Sequence, residues 1–228
     1  MVVVALSAIL VAINPASVVP AKNSKNAAER KPDMAEPVQY TNRKGKTYYL
    51  HAVRTKTGTT RYVMKRTCEG ALTHVPEGYV ITENVNGVVS VGRPRSRVIT
   101  ELEEARVVHA LQELQLRYYR VEVKDVYLTI YEPIGQEEEE YLSLMEEMGM
   151  GVFPGLLEKN LASIMNRRPL EPVMRFRLFD PERRIFEVER MTYRGRGGWH
   201  SLGKFDTLAE LTRTFLKHLG KDSFFELM

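Results

Sequence analysis

Residues 37–68, PVQYTNRKGKTYYLHAVRTKTGTTRYVMKRTC, carry the pattern that most restricts what this chain can fold into. Side chains alternate from Lys46 to Val53, and Arg61 to Arg66 is typical of a second strand. The Thr/Gly-rich run 55–59 between them predicts a turn. We therefore expect an antiparallel hairpin with two distinct faces. The inner face would carry Tyr48, Leu50, Ala52, Tyr62 and Met64, and the outer face would carry Thr47, Tyr49, His51, Arg61 and Lys65.

The same segment is strongly basic, because it holds eight Lys or Arg residues and no Asp or Glu. Several Lys and Arg on one surface bind phosphate, and neighbouring aromatic side chains can stack on exposed bases. The leading hypothesis is therefore a non-enzymatic module that binds nucleic acid, without sequence specificity, or another polyanion. Its candidate residues are the basic and tyrosine side chains of the hairpin and the arginines of a later connector: Arg43, Lys44, Lys46, Arg54, Lys56, Arg61, Lys65, Arg66, Arg93, Arg95, Arg97, Tyr48, Tyr49 and Tyr62.

Charge is distributed unevenly along the chain. Residues 37–100 have a net charge of +8, residues 101–172 have −8, and the whole chain has only +4. Opposite charges of this size can also attract each other. The alternative hypothesis is therefore a protein-interaction or structural module, in which basic and acidic parts pair within the chain, between copies or with an acidic partner protein.

Strand and helix signals alternate along the rest of the chain. Hairpins are predicted at 79–91, around an Asn-Gly turn, at 118–131 and at 173–193. Capping boxes at Thr100 and Thr207 predict helices, the first burying Leu102, Ala105, Val108, Leu111 and Leu114. Two more helices are predicted at 137–148 and 154–167, separated by Gly149-Met150-Gly151.

This order predicts an α+β fold of antiparallel hairpins with packed helices, divided into two lobes. The expected divisions are an apolar or flexible segment 1–36, a basic lobe 37–132, an acidic helical connector 133–172 and a hairpin–helix lobe 173–228. Arg194 to Trp199 is expected to be a flexible basic loop, and Phe224, Phe225 and Leu227 are expected to be buried.

The first residues permit two interpretations. Met1 to Ile13 is apolar but too short for a membrane-spanning helix, and it resembles the core of a secretory signal. No Lys or Arg precedes it, however, so a misassigned start, with Met34 as the true first residue, is the other explanation. The misassigned start predicts a cytoplasmic protein to which residues 1–33 contribute nothing, and the signal predicts secretion.

Four short motifs resemble an uncharacterised bacterial protein family. They are Tyr40 to Lys46, Tyr48 to His51, Pro76 to Tyr79 and Glu83-Asn84, and Leu219 to Leu227 is similar to the ending of those proteins. The resemblance implies no activity. Its members begin near the position of Met34, which favours the misassigned start.

Catalytic and metal-binding patterns are weak. The single cysteine, Cys68, excludes an intrachain disulfide and fits a reducing compartment. The five histidines show no spacing typical of a metal site, and neither a predicted helix N-terminus nor a signature motif of a reactive thiol surrounds Cys68. We therefore expect no metal, no cofactor and no catalytic residue, and an enzyme is the weakest of the three hypotheses.

Overall fold

The computed structural model describes residues 36–135, 138–147, 154–192 and 198–227. Within them the chain forms ten strands, in three antiparallel sheets, and four α-helices. The strands are β1 Gln39–Thr41, β2 Thr47–Arg54, β3 Thr60–Lys65, β4 Val80–Glu83, β5 Val89–Gly92, β6 Arg120–Lys124, β7 Tyr127–Pro133, β8 Leu170–Asp180, β9 Ile185–Thr192 and β10 Gly198–Thr207. The helices are α1 Glu101–Glu113, α2 Glu138–Glu147, α3 Pro154–Arg167 and α4 Leu208–Phe215. The predicted α+β fold is confirmed.

Two small sheets precede the first helix. The predicted basic hairpin is β2–β3, joined along the start of β2 by β1, and the hairpin with the Asn-Gly turn is β4–β5. Strand β3 contacts β5, so the two sheets pack on each other. Gly58 has a φ of +84°, in the left-handed region that glycine favours, which lets the chain turn between β2 and β3.

The central sheet has five strands in the order β10-β9-β8-β7-β6. One face of it is apolar, because alternate residues of neighbouring strands lie side by side, as Leu128, Phe176 and Val188 do. Helices α1 and α4 cover this face and form the core with it. The opposite face carries the polar side chains of the same strands.

Helix α1 begins where the capping box predicts, but its buried face differs in part. Thr100 accepts from the amide of Glu103, whose carboxylate accepts from the amide of Thr100. Val107 and Leu111 are buried, whereas Leu102 is 83% exposed. The prediction holds for Leu111 but is wrong for Leu102 and for Leu114, which is 40% exposed. Glu103, one turn before Val107, pairs with Arg184 of the β8–β9 turn, so positions 103, 107 and 111 face the sheet.

The chain from Pro37 to Met228 forms one compact unit. Strand β7, from the predicted lobe 37–132, is hydrogen-bonded to β8, which continues into the predicted lobe 173–228. The two lobes therefore share the central sheet, and the connector 133–172, with α2 and α3, joins two neighbouring strands of it.

The C-terminal third of the chain contains an unpredicted strand and one wrong burial prediction. Strand β10 starts at Gly198, so Gly198 and Trp199 belong to the sheet and not to a loop. Phe224 is 4% exposed, as predicted, but Phe225 is 67% exposed. The predictions for residues 1–33, 149–151 and 194–197 lie outside the described residues.

Candidate polyanion-binding surface

The register of the hairpin places two of the predicted cations on its outer face. Tyr49 lies opposite Lys65, and Val53 lies opposite Arg61. Residues that are paired across an antiparallel sheet project to the same side, so these four residues share one face, called the cationic face below. Arg61 and Lys65 are four residues apart on β3, which corresponds to about 13 Å along the strand.

The far end of the hairpin, residues 52–61, is called the arm. Every residue of the arm except the half-buried Thr55 is exposed, although β2 and β3 pair as far as Arg54 and Thr60. Thr55 holds the turn, because its hydroxyl donates to the carbonyl of Thr59 at 2.9 Å and accepts from the amide of Thr59 at 3.1 Å. The arm is therefore an ordered two-stranded ribbon exposed on both faces.

The cations of the arm and of the cationic face have no acidic partner in the part of the chain that the structure describes. The ion pairs found there are all made by other basic residues. Arg54, Lys56, Arg61 and Lys65 are all exposed. An exposed cation without a neighbouring carboxylate keeps its full charge available to an anion in solution.

The three candidate tyrosines do not lie on one face. Tyr48 and Tyr62 project to the inner side of the hairpin, where the guanidinium of Arg66 lies 5.8 Å from the Tyr48 ring. Tyr62 makes an edge-to-face contact with Tyr79, with ring centroids 4.8 Å apart. Only Tyr49 accompanies the cations on the outer face, so the structure does not assemble the three rings into one stacking platform.

The side chain of Arg43 is held by hydrogen bonds to the end of α3 and does not belong to the arm. Its guanidinium donates to the carbonyls of Asn166 and Arg168, at 2.6 and 2.9 Å, at the C-terminal end of α3. These carbonyls lack partners within the helix, so Arg43 acts as their cap. Burial, and next the charge of Arg120, lower the pKa of Arg43.

Other contacts fix the base of the hairpin. Glu83 accepts from the Tyr40 hydroxyl at 2.9 Å and from the Arg43 amide at 2.8 Å, and burial together with this carboxylate raises the pKa of Tyr40 to about 12. The side chain of Asn86 donates to the carbonyl of Leu170 and accepts from its amide, both at 2.9 Å. Asn86 thus ties the β4–β5 turn, which lies beside the base of the hairpin, to the first residue of β8.

The remaining cations differ in their environment. The amides of Lys44 and Lys46 donate to the side-chain oxygen of Asn42, which shapes their turn, and Lys46 is exposed while Lys44 is half-buried. In the connector after β5, Arg97 pairs with Glu104 at 2.5 Å and Arg95 pairs with Asp125 at 3.6 Å. Arg93 is exposed. The connector is therefore partly neutralised by the acidic residues that follow it.

His51 is not on an accessible surface, contrary to the prediction for the outer face. It is 5% exposed, and its Nε2 lies 2.8 Å from the carbonyl of Thr67. The chain after β3 returns over the base of the hairpin, where the amide of Leu72 donates to the carbonyl of Leu50 at 2.7 Å. The outer face is consequently covered at His51, between the Tyr49–Lys65 pair and the Val53–Arg61 pair, and open towards the arm.

A ladder of charged residues on the polar face of the central sheet was missed from the sequence. Arg175 pairs with Glu189 and Arg177 pairs with Glu187, across β8 and β9, and Ser201 donates to Glu187 at 2.5 Å. Burial opposes ionisation of Glu187, but the bonds from Ser201 and Arg177 outweigh it and hold its pKa below the usual value. The alternation Arg-x-Arg in β8 and Glu-x-Glu in β9 was the available signal.

Two aromatic rings enclose this ladder at one end. The Arg175 guanidinium lies between the rings of Tyr127 and Trp199, 4.2 Å from each centroid. Glu187 and Glu189 are 5% and 9% exposed. Because the positive and negative groups neutralise each other in place, the ladder offers little net charge to a ligand.

Two features that often mark an active site are a metal-binding cluster and a deep pocket. The described residues contain no group of three or more His, Cys, Asp or Glu side chains placed to hold a metal ion. A cleft between β10 and α4, lined in part by Phe205, Leu211 and Phe215, has a volume of about 170 Å³. Pockets for small ligands are usually about 300–1,000 Å³, so this cleft is smaller than a typical ligand pocket.

None of the described helices has the length and hydropathy of a membrane span.

Comparison with protein-family models, with curated proteins and with solved structures finds no match for this chain.

Proposed function

We propose that this protein is a non-enzymatic module that binds nucleic acid or another polyanion, without sequence specificity, through the arm and the cationic face. The observation that carries the proposal is the set of exposed cations Arg54, Lys56, Arg61 and Lys65, which have no acidic partner among the described residues. Phosphate contacts by such side chains supply most of the affinity in non-specific binding, because each contact releases condensed counterions.

The ion pairs of the connector favour the alternative, a module whose basic and acidic parts pair with each other. Arg95 and Arg97 pair with acids of the region 101–125. For the arm, however, the described residues offer no such pairing, and this difference supports an external partner for the arm. A cytoplasmic location is part of the proposal, since the exposed free thiol of Cys68 suits a reducing compartment.

The test compares two variants that change the net charge equally. In the arm variant, Arg54, Lys56, Arg61 and Lys65 are replaced by Glu. In the control variant, four exposed lysines elsewhere, Lys124, Lys204, Lys217 and Lys221, are replaced by Glu. Fluorescence anisotropy with labelled DNA of 20 nucleotides or base pairs, at about 50 mM salt, measures the affinity.

We expect micromolar or tighter binding by the parent protein, at least a 100-fold loss in the arm variant, and a much smaller loss in the control variant. Equal losses in both variants would mean that only the overall charge matters, and would contradict a local site. No binding by the parent at micromolar protein would overturn the proposal. If the parent does not bind DNA but self-associates, and the arm variant loses this self-association, the result would favour the alternative.

A further inference from the structure

We infer that the ligand is double-stranded DNA and that the arm enters its major groove. This inference depends on the proposed function, since it names the ligand class and the binding mode of the same surface. It follows from the shape of the arm, from the distribution of its cations and from its composition.

The shape of the arm suits a major groove. Paired strands lie about 4.8 Å apart, and the B-form major groove, about 12 Å wide and 8.5 Å deep, admits a two-stranded ribbon. Residues 53–54 of β2 and 60–61 of β3 extend for roughly 7 Å before the turn is added. Exposure on both faces of the ribbon is necessary for such an entry, and the arm has it.

The cations of the arm project in different directions. Arg61 shares the outer face with Val53, whereas Arg54, the next residue of β2 after Val53, projects to the inner side. Lys56 lies in the turn. A ribbon inserted in a groove has a phosphate backbone on each side, so cations on opposite faces can contact both backbones at once.

The composition of the arm argues against single strands as the preferred ligand. Residues 52–61 contain no aromatic side chain, and four of the ten are threonine. Binding of single strands draws much of its energy from bases stacked on aromatic rings, whereas threonine hydroxyls can bond to base edges or phosphates in a groove. The major groove of duplex RNA is deep and narrow, and side chains cannot read it. The arm therefore fits B-form DNA better than either RNA duplex or single strands.

The experiment measures the affinity of the full chain for three probes of one sequence and of 20 nucleotides or base pairs: duplex DNA, duplex RNA and single-stranded DNA. We expect duplex DNA to bind at least tenfold more tightly than the other two. Dimethyl sulfate footprinting gives an independent readout, because guanine N7 lies in the major groove. We expect N7 protection by the parent, and loss of protection when Arg54, Lys56 and Arg61 are replaced by Gln.

The outcomes separate this inference from the proposed function. Equal affinity for the three probes, tighter binding of the single strand, or duplex binding without N7 protection would overturn the groove assignment while leaving polyanion binding in place. The absence of binding to every probe would overturn both. A melting temperature of the triple Gln variant equal to that of the parent would show that any loss of binding is not a loss of fold.

Discussion

At the scale of single residues, Arg43 and Arg61 show how one residue type takes two roles within one basic segment. Arg43 uses its guanidinium to cap the carbonyls of Asn166 and Arg168, whereas Arg61 is exposed on the hairpin. The sequence could not separate them, because the partners of Arg43 are more than 120 residues away along the chain. Both were plausible members of the site until the fold was known.

The two arginines should respond differently to the same substitution. Arg43→Met should lower the free energy of unfolding by about 2–3 kcal/mol, since the part-buried bond to Arg168 contributes about 1.5–3 kcal/mol as a bond from a charged donor and the exposed bond to Asn166 contributes less. Arg61→Met should leave stability within about 0.5 kcal/mol, as is usual for surface positions. Urea denaturation followed by circular dichroism measures both. Equal stability of the two variants would contradict the capping role of Arg43.

The adjacent phenylalanines near the C-terminus offer a second matched comparison. Phe224→Ala should destabilise the protein by about 3–5 kcal/mol, because a buried ring leaves a cavity. Phe225→Ala should cost less than about 1 kcal/mol, since that ring is 67% exposed and loses mainly its edge-to-face contact with Phe224. Thermal melting of each single variant tests this, and a larger effect at Phe225 would contradict the assigned burial.

At the scale of secondary-structure elements, local signals predicted most hairpins and helix starts. The Thr100 capping box and the Asn-Gly turn between β4 and β5 work through neighbouring residues, so the sequence contains all that determines them. Strand β10 was missed because a register shift between Ser201 and Phe205, with Gly203 inside it, interrupts the alternation. The buried face of α1 was predicted only in part, since Leu111 is buried as expected but Glu103 also faces inward and pairs with the distant Arg184.

The charged ladder should make stability depend on acidic pH. The pKa of Glu187 is held below its usual value in the folded state, so its contribution is present above the unfolded pKa and is lost as pH falls through the folded pKa. Glu187→Gln should therefore cost about 1–3 kcal/mol at pH 7. The difference from the parent should shrink below about pH 4.5. Chemical denaturation between pH 3 and 7 measures it, and a difference constant across that range would contradict the assigned ion pair.

At the scale of the whole molecule, the sequence predicted which segment is basic, but it did not predict which of the basic side chains stay unpaired in the fold. The cations of 54–65 were predicted and are exposed, but those of the connector meet acids that the fold brings near, as Arg95 meets Asp125. Three of the fourteen candidates, Arg43, Arg95 and Arg97, therefore bond to other parts of the chain. Which cations remain free depends on tertiary contacts, and no local pattern reports those.

The salt dependence of DNA binding tests the central claim most directly, since it counts the phosphates that the arm contacts. The slope of log affinity against log salt concentration is about −0.9 for each phosphate neutralised on duplex DNA. We predict that Lys56→Gln and Arg61→Gln each make the slope of the parent shallower by about 1, and that Lys217→Gln leaves it unchanged. If neither arm substitution changed the slope from that of the parent, the result would contradict the account, because the phosphates would then bind elsewhere on the protein.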